Sequence, residues 1–138
     1  MLPVIALAIG DPAGVGPELA AKLVADPDIR AAMALVIVGD RRVLERGAAD
    51  SSCILDIDVR GPDDSVVSAG KPVLIDLGNL DPATIDRGVA AEAGGRSALA
   101  NFSTCLRIAA AAGKADAVCF TPFNKAAMRL SHPSYDDE

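Results

Sequence analysis

The sequence predicts an α/β fold in which a largely parallel sheet is flanked by helices. Three observations lead there. "VIALAI" (4–9), "ALVIVG" (34–39) and "DAVCF" (116–120) are continuous apolar runs of strand length, the pattern of strands buried on both faces. The first of these alternate with helical segments in a βαβα order, which joins parallel strands by crossover helices. Finally, the 138 residues are 51% hydrophobic but only 3% aromatic, with no Trp. A core of Ala, Val, Leu and Ile suits helices packed closely on a sheet.

Taken in order, "VIALAI" ends at Gly10. Pro17 suits the first position of a helix, and Glu18 places an acid in its first turn, where the helix dipole favours it. That helix covers 17–25 and runs to about Pro27. "ALVIVG" is closed by Gly39, and Asp40 is a candidate N-cap for "DRRVLERGA". "CILDIDV" (53–59) and "PVLIDL" (72–77) mix apolar and acidic residues at strand-like spacing and predict two more strands. "RGPDDS" and "GNLDPATIDRG" read as loops. From roughly 95 to 112, Ala98, Leu99, Phe102, Cys105, Leu106 and Ala109 recur at helical spacing. Gly94 and Gly95 mark a start or a kink of that helix, and Gly113 is a natural C-cap. After the strand "DAVCF", "TPFNKAAMRL" turns into a short helix. There is no internal repeat, low-complexity tract or linker.

The net charge of −6 and the pI near 4.7 argue against a nucleic-acid partner, whose phosphates need clustered Lys and Arg. No apolar run approaches the ~18 residues of a membrane span. The N-terminal stretch has no basic flank, since the first cationic side chain is Lys22, and a cytoplasmic location is expected. Cys53, Cys105 and Cys119 are odd in number and far apart, so they form neither a disulfide framework nor a zinc knuckle. Cys105 and Cys119 lie in apolar stretches and read as buried free thiols.

Two stretches carry chemistry. In "GDPAGVGPE" (10–18) the glycines stand at 10, 14 and 16, which is not the G-x-G-x-x-G order, and no Gly-Lys pair of a phosphate-binding loop occurs nearby. Pro12 and Pro17 remove two backbone donors, and Asp11 adds a negative charge. The stretch reads as a tight strand-to-helix turn with glycine at positive φ, backed by a helix N-terminus that can face a ligand. "TPFNK" (121–125) follows a strand at its C-terminal end, the edge that holds ligands in open α/β sheets. Thr121, Asn124 and Lys125 offer a hydroxyl, an amide and a cation there. A capped turn with a solvated Lys125 is the plainer alternative, and both stay open. His132 is the one histidine, whereas a catalytic metal commonly takes about three protein ligands. "DDE" (136–138) reads as a solvated acidic end, although adjacent carboxylates also bind metals. No metal site is assigned to these residues.

Together, "IALAIGDPAGVGPELAAK", "GVAAEAGGRSALANF" and "GKADAVCFTPFNKAAM" resemble the 4-hydroxythreonine-4-phosphate dehydrogenase family, collinearly and over nearly the whole chain. The resemblance implies an isocitrate/isopropylmalate dehydrogenase-like fold, a homodimer, a small-molecule substrate, NAD, and a divalent metal (zinc, magnesium or cobalt) in the full-length family member. The family oxidises a secondary alcohol by hydride transfer to the nicotinamide, with the metal polarising the alcohol oxygen, and its product loses CO2 on the way to pyridoxal phosphate. Family members are more than twice as long, and their metal-binding histidines and most of their nucleotide site lie beyond the matching segment. Residues 1–138 therefore read as the N-terminal portion of one dehydrogenase-like unit, inactive by itself.

The same resemblance implies active-site roles for Lys125 and Asn124 and a loop-shaping role for Asp11 and Gly14. Thr121 joins them on the substrate side. Where the family carries Gly-His-Thr-Glu, this chain has "YDDE", so Asp136 and Asp137 occupy positions that contact a phosphorylated substrate. Two carboxylates repel a phosphate, which points to a family branch acting on another acid or diol. Two further classes stay open: an inactive remnant or interaction module, favoured by the lack of a histidine cluster, and an acyl-phosphate transferase of related fold.

Overall fold

The computed structural model describes residues 1–66, 70–111 and 114–136. Five parallel strands form one sheet in the order β3-β4-β2-β1-β5: β1 (Val4–Ala8), β2 (Ala34–Gly39), β3 (Asp58–Arg60), β4 (Val73–Asp76) and β5 (Ala117–Phe120). The helices are α1 (Gly16–Ala25), α2 (Pro27–Ala32), α3 (Arg41–Ser51), α4 (Glu92–Ala110) and α5 (Lys125–Ser131), with a short 3-10 turn at Pro82–Thr84. The three apolar runs are all strands of one parallel sheet, as the sequence predicts.

Alternation along the strands divides the core in two. Leu7, Ile9, Leu35, Ile37 and Leu74 face α1 and α3, where Ala20, Ala21, Val24, Val43 and Leu44 meet them. Ala6, Ala8, Val36, Val38, Val73 and Ile75 face the other way, towards Cys105 of α4. Burial pushes the Cys105 thiol up to about 12, so it stays protonated and acts as a small apolar group.

Several expectations need correction. Between α1 and β2, where the sequence reading assigns no element, Asp26 caps a second helix, its carboxylate accepting the amides of Asp28 (2.8 Å) and Ile29 (3.2 Å). Pro27 has no N–H to extend α1 but suits the start of α2. The strand expected at 53–59 pairs only at Asp58–Arg60; Cys53, Leu55 and Ile57 lie in an unpaired stretch that packs on the first core. Gly94 and Gly95 neither start nor kink α4, which is continuous from Glu92. A Cβ on Gly95 would land on the carbonyl oxygen of Ala127, so this glycine lets α5 lie directly against α4. The buried face of α4 is also more polar than its periodicity suggests: Ser97, Asn101 and Thr104 are buried, whereas Leu106 is 49% exposed. β5 is a strand but not a buried one; as an edge strand it leaves Cys119 and Phe120 exposed. The C-cap expected at Gly113 lies outside the described residues. Among the described residues, no helix is long and apolar enough to cross a membrane.

Candidate active site

Crossovers determine where this sheet can hold a ligand. From β1 the chain passes to β2 over the face carrying α1 and α3. From β4 it crosses to β5 over the opposite face, carrying α4. The loop after β1 leads into α1 on one face and the loop after β5 leads into α5, which lies against α4 on the other, so these neighbouring carboxyl ends mark the switch-point crevice where open α/β sheets place ligands. "GDPAGVGPE" and "TPFNK" are those two loops.

The loops are joined by two hydrogen bonds from backbone amides of the first to the second. The amide of Gly10 donates to the Thr121 hydroxyl at 2.8 Å, and the amide of Asp11 donates to the Pro122 carbonyl at 2.9 Å. A Cβ on Gly10 would strike the carbonyl oxygens of Thr121 and Pro122, and one on Gly16 would lie 2.8 Å from the Thr121 hydroxyl oxygen. These glycines serve close approach. The positive φ expected of them is found instead at Gly70, Gly78 and Gly88.

Within the first loop, the Asp11 carboxylate accepts the amide of Ala13 at 3.1 Å, and its carbonyl accepts the amide of Gly14 at 3.2 Å. Every N–H from Gly10 to Gly14 is thus bound inward, and Pro12 and Pro17 have none. The donors of this half of the loop are therefore spent inside the fold, and the N-terminus of α1 behind it begins at Gly16 without a side-chain cap.

Two contacts invisible in the sequence fasten this loop from below. Arg46 of α3 donates to the carbonyl oxygens of Pro12 and Pro82, the latter at 3.1 Å. The amide of Gly88 donates to the Ala13 carbonyl at 2.7 Å. Beside them, Asn101 donates to the carbonyl of Ile9 at 2.9 Å and accepts from Asn79 at 3.0 Å, while Ser97 donates to Asn79 at 3.2 Å. A polar residue at a buried helical phase, such as Asn101, is the signal that could have revealed this network. Asp40 caps α3 as expected, accepting the Arg42 amide at 2.9 Å, and it also accepts the Leu80 amide at 2.8 Å. Burial alone would raise the Asp40 carboxyl, but the Arg42 guanidinium and the two amides hold it below the usual carboxylate range.

In the second loop Thr121 is buried, 1% exposed, with its hydroxyl directed at Gly10. The Asn124 carbonyl oxygen caps α5 through the amide of Ala127 at 3.2 Å. Lys125, the first residue of α5, is exposed beside it. At the far end of α5 the chain turns at His132 and doubles back: the Tyr135 amide bonds the His132 carbonyl at 2.8 Å, and Arg129 donates to the Tyr135 carbonyl at 3.4 Å. Asp136 follows, exposed, while Asp137 lies outside the described residues. Phe102, Phe120 and Phe123 form a cluster beside β5, with Phe120 and Phe123 stacked at 4.4 Å between ring centres. Among the described residues, no three His, Cys, Asp or Glu side chains gather into a metal-binding group.

No protein-family model matches the chain. Individual proteins match it along its whole length. It is 54% identical over 138 residues, covering 99% of the chain, to a provisionally named 4-hydroxythreonine-4-phosphate dehydrogenase 2 of Rhizobium meliloti (strain 1021), of which it spans 39%. It superposes on a crystal structure of a 4-hydroxythreonine-4-phosphate dehydrogenase from Burkholderia phymatum with a TM-score of 0.86 and 28% identity, covering all of this chain and 42% of that one. It also superposes on a terephthalate 1,2-cis-dihydrodiol dehydrogenase from Burkholderia xenovorans LB400 with a TM-score of 0.72 and 32% identity, covering 98% of this chain and 38% of that one. The resemblance to 4-hydroxythreonine-4-phosphate dehydrogenases thus holds over the entire chain, which spans about 40% of the length of the proteins it matches.

Proposed function

We propose that this chain is the N-terminal portion of a single dehydrogenase-like α/β unit in a cytoplasmic homodimer. The reaction is NAD-dependent oxidation of a secondary alcohol in a 4-hydroxythreonine-4-phosphate-like substrate or a related hydroxy acid, followed by decarboxylation. The carrying observation is the meeting of "GDPAGVGPE" and "TPFNK" at the crossover crevice of a chain that superposes throughout on a dehydrogenase of this kind.

In this reading the crevice binds and orients the substrate. Lys125 is the first residue of α5, directly after Asn124 in the second loop, and is exposed there. Its positive charge would hold a substrate carboxylate or phosphate. Asn124, with its carbonyl oxygen engaged by the α5 amide, has its NH2 group for a substrate oxygen. Thr121 acts through Gly10 by fixing the first loop, and Asp11 and Gly14 set the shape of that loop. NAD, when bound, would take up the hydride released as the alcohol becomes a ketone.

A second reading of the substrate rests on Asp136. Its segment turns back at His132 and lies beside Arg129 of α5. A carboxylate there disfavours phosphate and accepts hydroxyl groups, as suits a diol. The experiment for both readings is NADH formation by the intact enzyme with 4-hydroxythreonine-4-phosphate and with unphosphorylated diols. Turnover of either class supports the dehydrogenase reading, and turnover of neither removes it.

A further inference from the structure

We propose that Arg46 is a positioning residue of this active site, clamping the first loop to the segment at Pro82 from inside the fold. The proposal rests on the crevice being the active site only for its catalytic consequence; the clamp itself stands on geometry.

Arg46 lies on α3, whose neighbouring Gly47 sits so close to α1 that a Cβ there would strike the Pro17 carbonyl. The helix is thus held in backbone contact with one end of the first loop, and the guanidinium reaches the other end. One nitrogen donates to Pro12 and a second to Pro82. Two carbonyls from segments seventy residues apart in sequence are bridged by one planar fork, which a single-point ammonium cannot reproduce. Among the described residues Arg46 is in no ion pair at bonding distance, unlike Arg42 with Asp40 or Arg87 with Asp50. Its fixed partners are backbone oxygens. Burial and nearby Arg87 both disfavour its charge, with Asp50 partly compensating, so the side chain is kept half-buried for what its donors hold.

The consequence follows from where Pro12 sits. It is flanked by Asp11 and Ala13, whose own bonds reach Pro122 and Gly88. Releasing Pro12 loosens the span between those two anchors and lets the loop drift from Thr121. A small misplacement of a substrate-binding loop lowers the rate by orders of magnitude.

Amide hydrogen exchange on Arg46→Met and Arg46→Lys tests the clamp. Met keeps the apolar stem and loses both bonds; Lys keeps the charge and can hold one carbonyl well. The amides of Gly14 and Gly88 should exchange at least tenfold faster in Arg46→Met and by an intermediate factor in Arg46→Lys, with the β1–β2 ladder unchanged. Unchanged loop amides, or equal acceleration in the ladder, would overturn the clamp. In the intact enzyme, Arg46→Met should lower kcat/KM at least tenfold, with partial recovery in Arg46→Lys. Loosened loop amides with unaltered kcat/KM would overturn the positioning role. A wild-type enzyme without dehydrogenase activity would remove the functional reading and leave the exchange result to decide the clamp.

Discussion

The hydroxyl of Thr121 accepts the amide of Gly10 at 2.8 Å in a fully buried bond between residues 111 apart in sequence. It joins the ends of two neighbouring strands whose loops form the crevice. Thr121→Val keeps the shape and strands a buried N–H, which costs about 1–3 kcal/mol. Thr121→Ser should recover most of that, since it keeps the acceptor. Denaturant unfolding of the three proteins checks this; equal stability of Val and wild type would show that the bond contributes nothing.

Asp40 predicts an acid limb in the stability profile. Its folded-state pKa is depressed, so its contribution is complete above the unfolded-state value of about 3.9 and is lost as pH falls through the lower folded-state value. Asp40→Asn should flatten the part of the acid limb below about pH 4 and lower stability at neutral pH, where the bonds to Arg42 and Leu80 weaken. Thermal melts from neutral to acid pH measure both; a variant with the wild-type pH slope contradicts the assignment.

Adjacent glycines in α4 should respond in opposite ways. A Cβ on Gly94 meets Pro12 side-chain carbons at 3.4 and 3.5 Å and an Asp11 carboxylate oxygen at 3.8 Å, all side-chain atoms, so Gly94→Ala should be tolerated or gain up to about 1 kcal/mol from helix propensity. Gly95→Ala collides with the Ala127 backbone and must push α5 away. It should cost several times more and shift the resonances of Ala127 and Met128. Similar melting temperatures for both variants would contradict this packing.

The sheet was legible in the sequence because buried parallel strands write themselves as unbroken apolar runs, and "VIALAI" and "ALVIVG" are such runs. The capping role of Asp40 was legible for an equally local reason. The edge character of β5 was not, since "DAVCF" is as apolar as a central strand and only pairing decides its place. Asp58–Arg60 was obscured because Cys53, Leu55 and Ile57 alternate like a strand yet belong to no strand pair. The crevice was half legible: both loops announced themselves by composition. That Thr121 faces Gly10 and Arg46 braces Pro12 depends on contacts across the fold that no spacing encodes.

On the second substrate reading, charge at Asp136 and Asp137 should set substrate preference. With carboxylates at Asp136 and Asp137, a phosphate dianion meets repulsion of about 1 kcal/mol per close charge pair in water, and more when desolvated. The intact enzyme should favour the unphosphorylated form of a matched substrate pair. Changing Asp136→His together with Asp137→Thr should shift the kcat/KM ratio towards the phosphorylated form at least tenfold. A wild type that already prefers the phosphorylated form, with no gain from the double change, contradicts the charge argument.

The central claim is that the crevice between β1 and β5 binds the substrate of an alcohol dehydrogenase, with Lys125 holding its anionic group. Its most direct measurement is kcat/KM for NADH formation by the intact enzyme, wild type against Lys125→Met, with melting temperatures recorded alongside. The account predicts turnover by wild type and a loss of about ten- to a hundredfold in Lys125→Met that exceeds any loss of stability, since charge-assisted contacts of this kind are worth about 1.5–3 kcal/mol. Equal kcat/KM in the two proteins would contradict it.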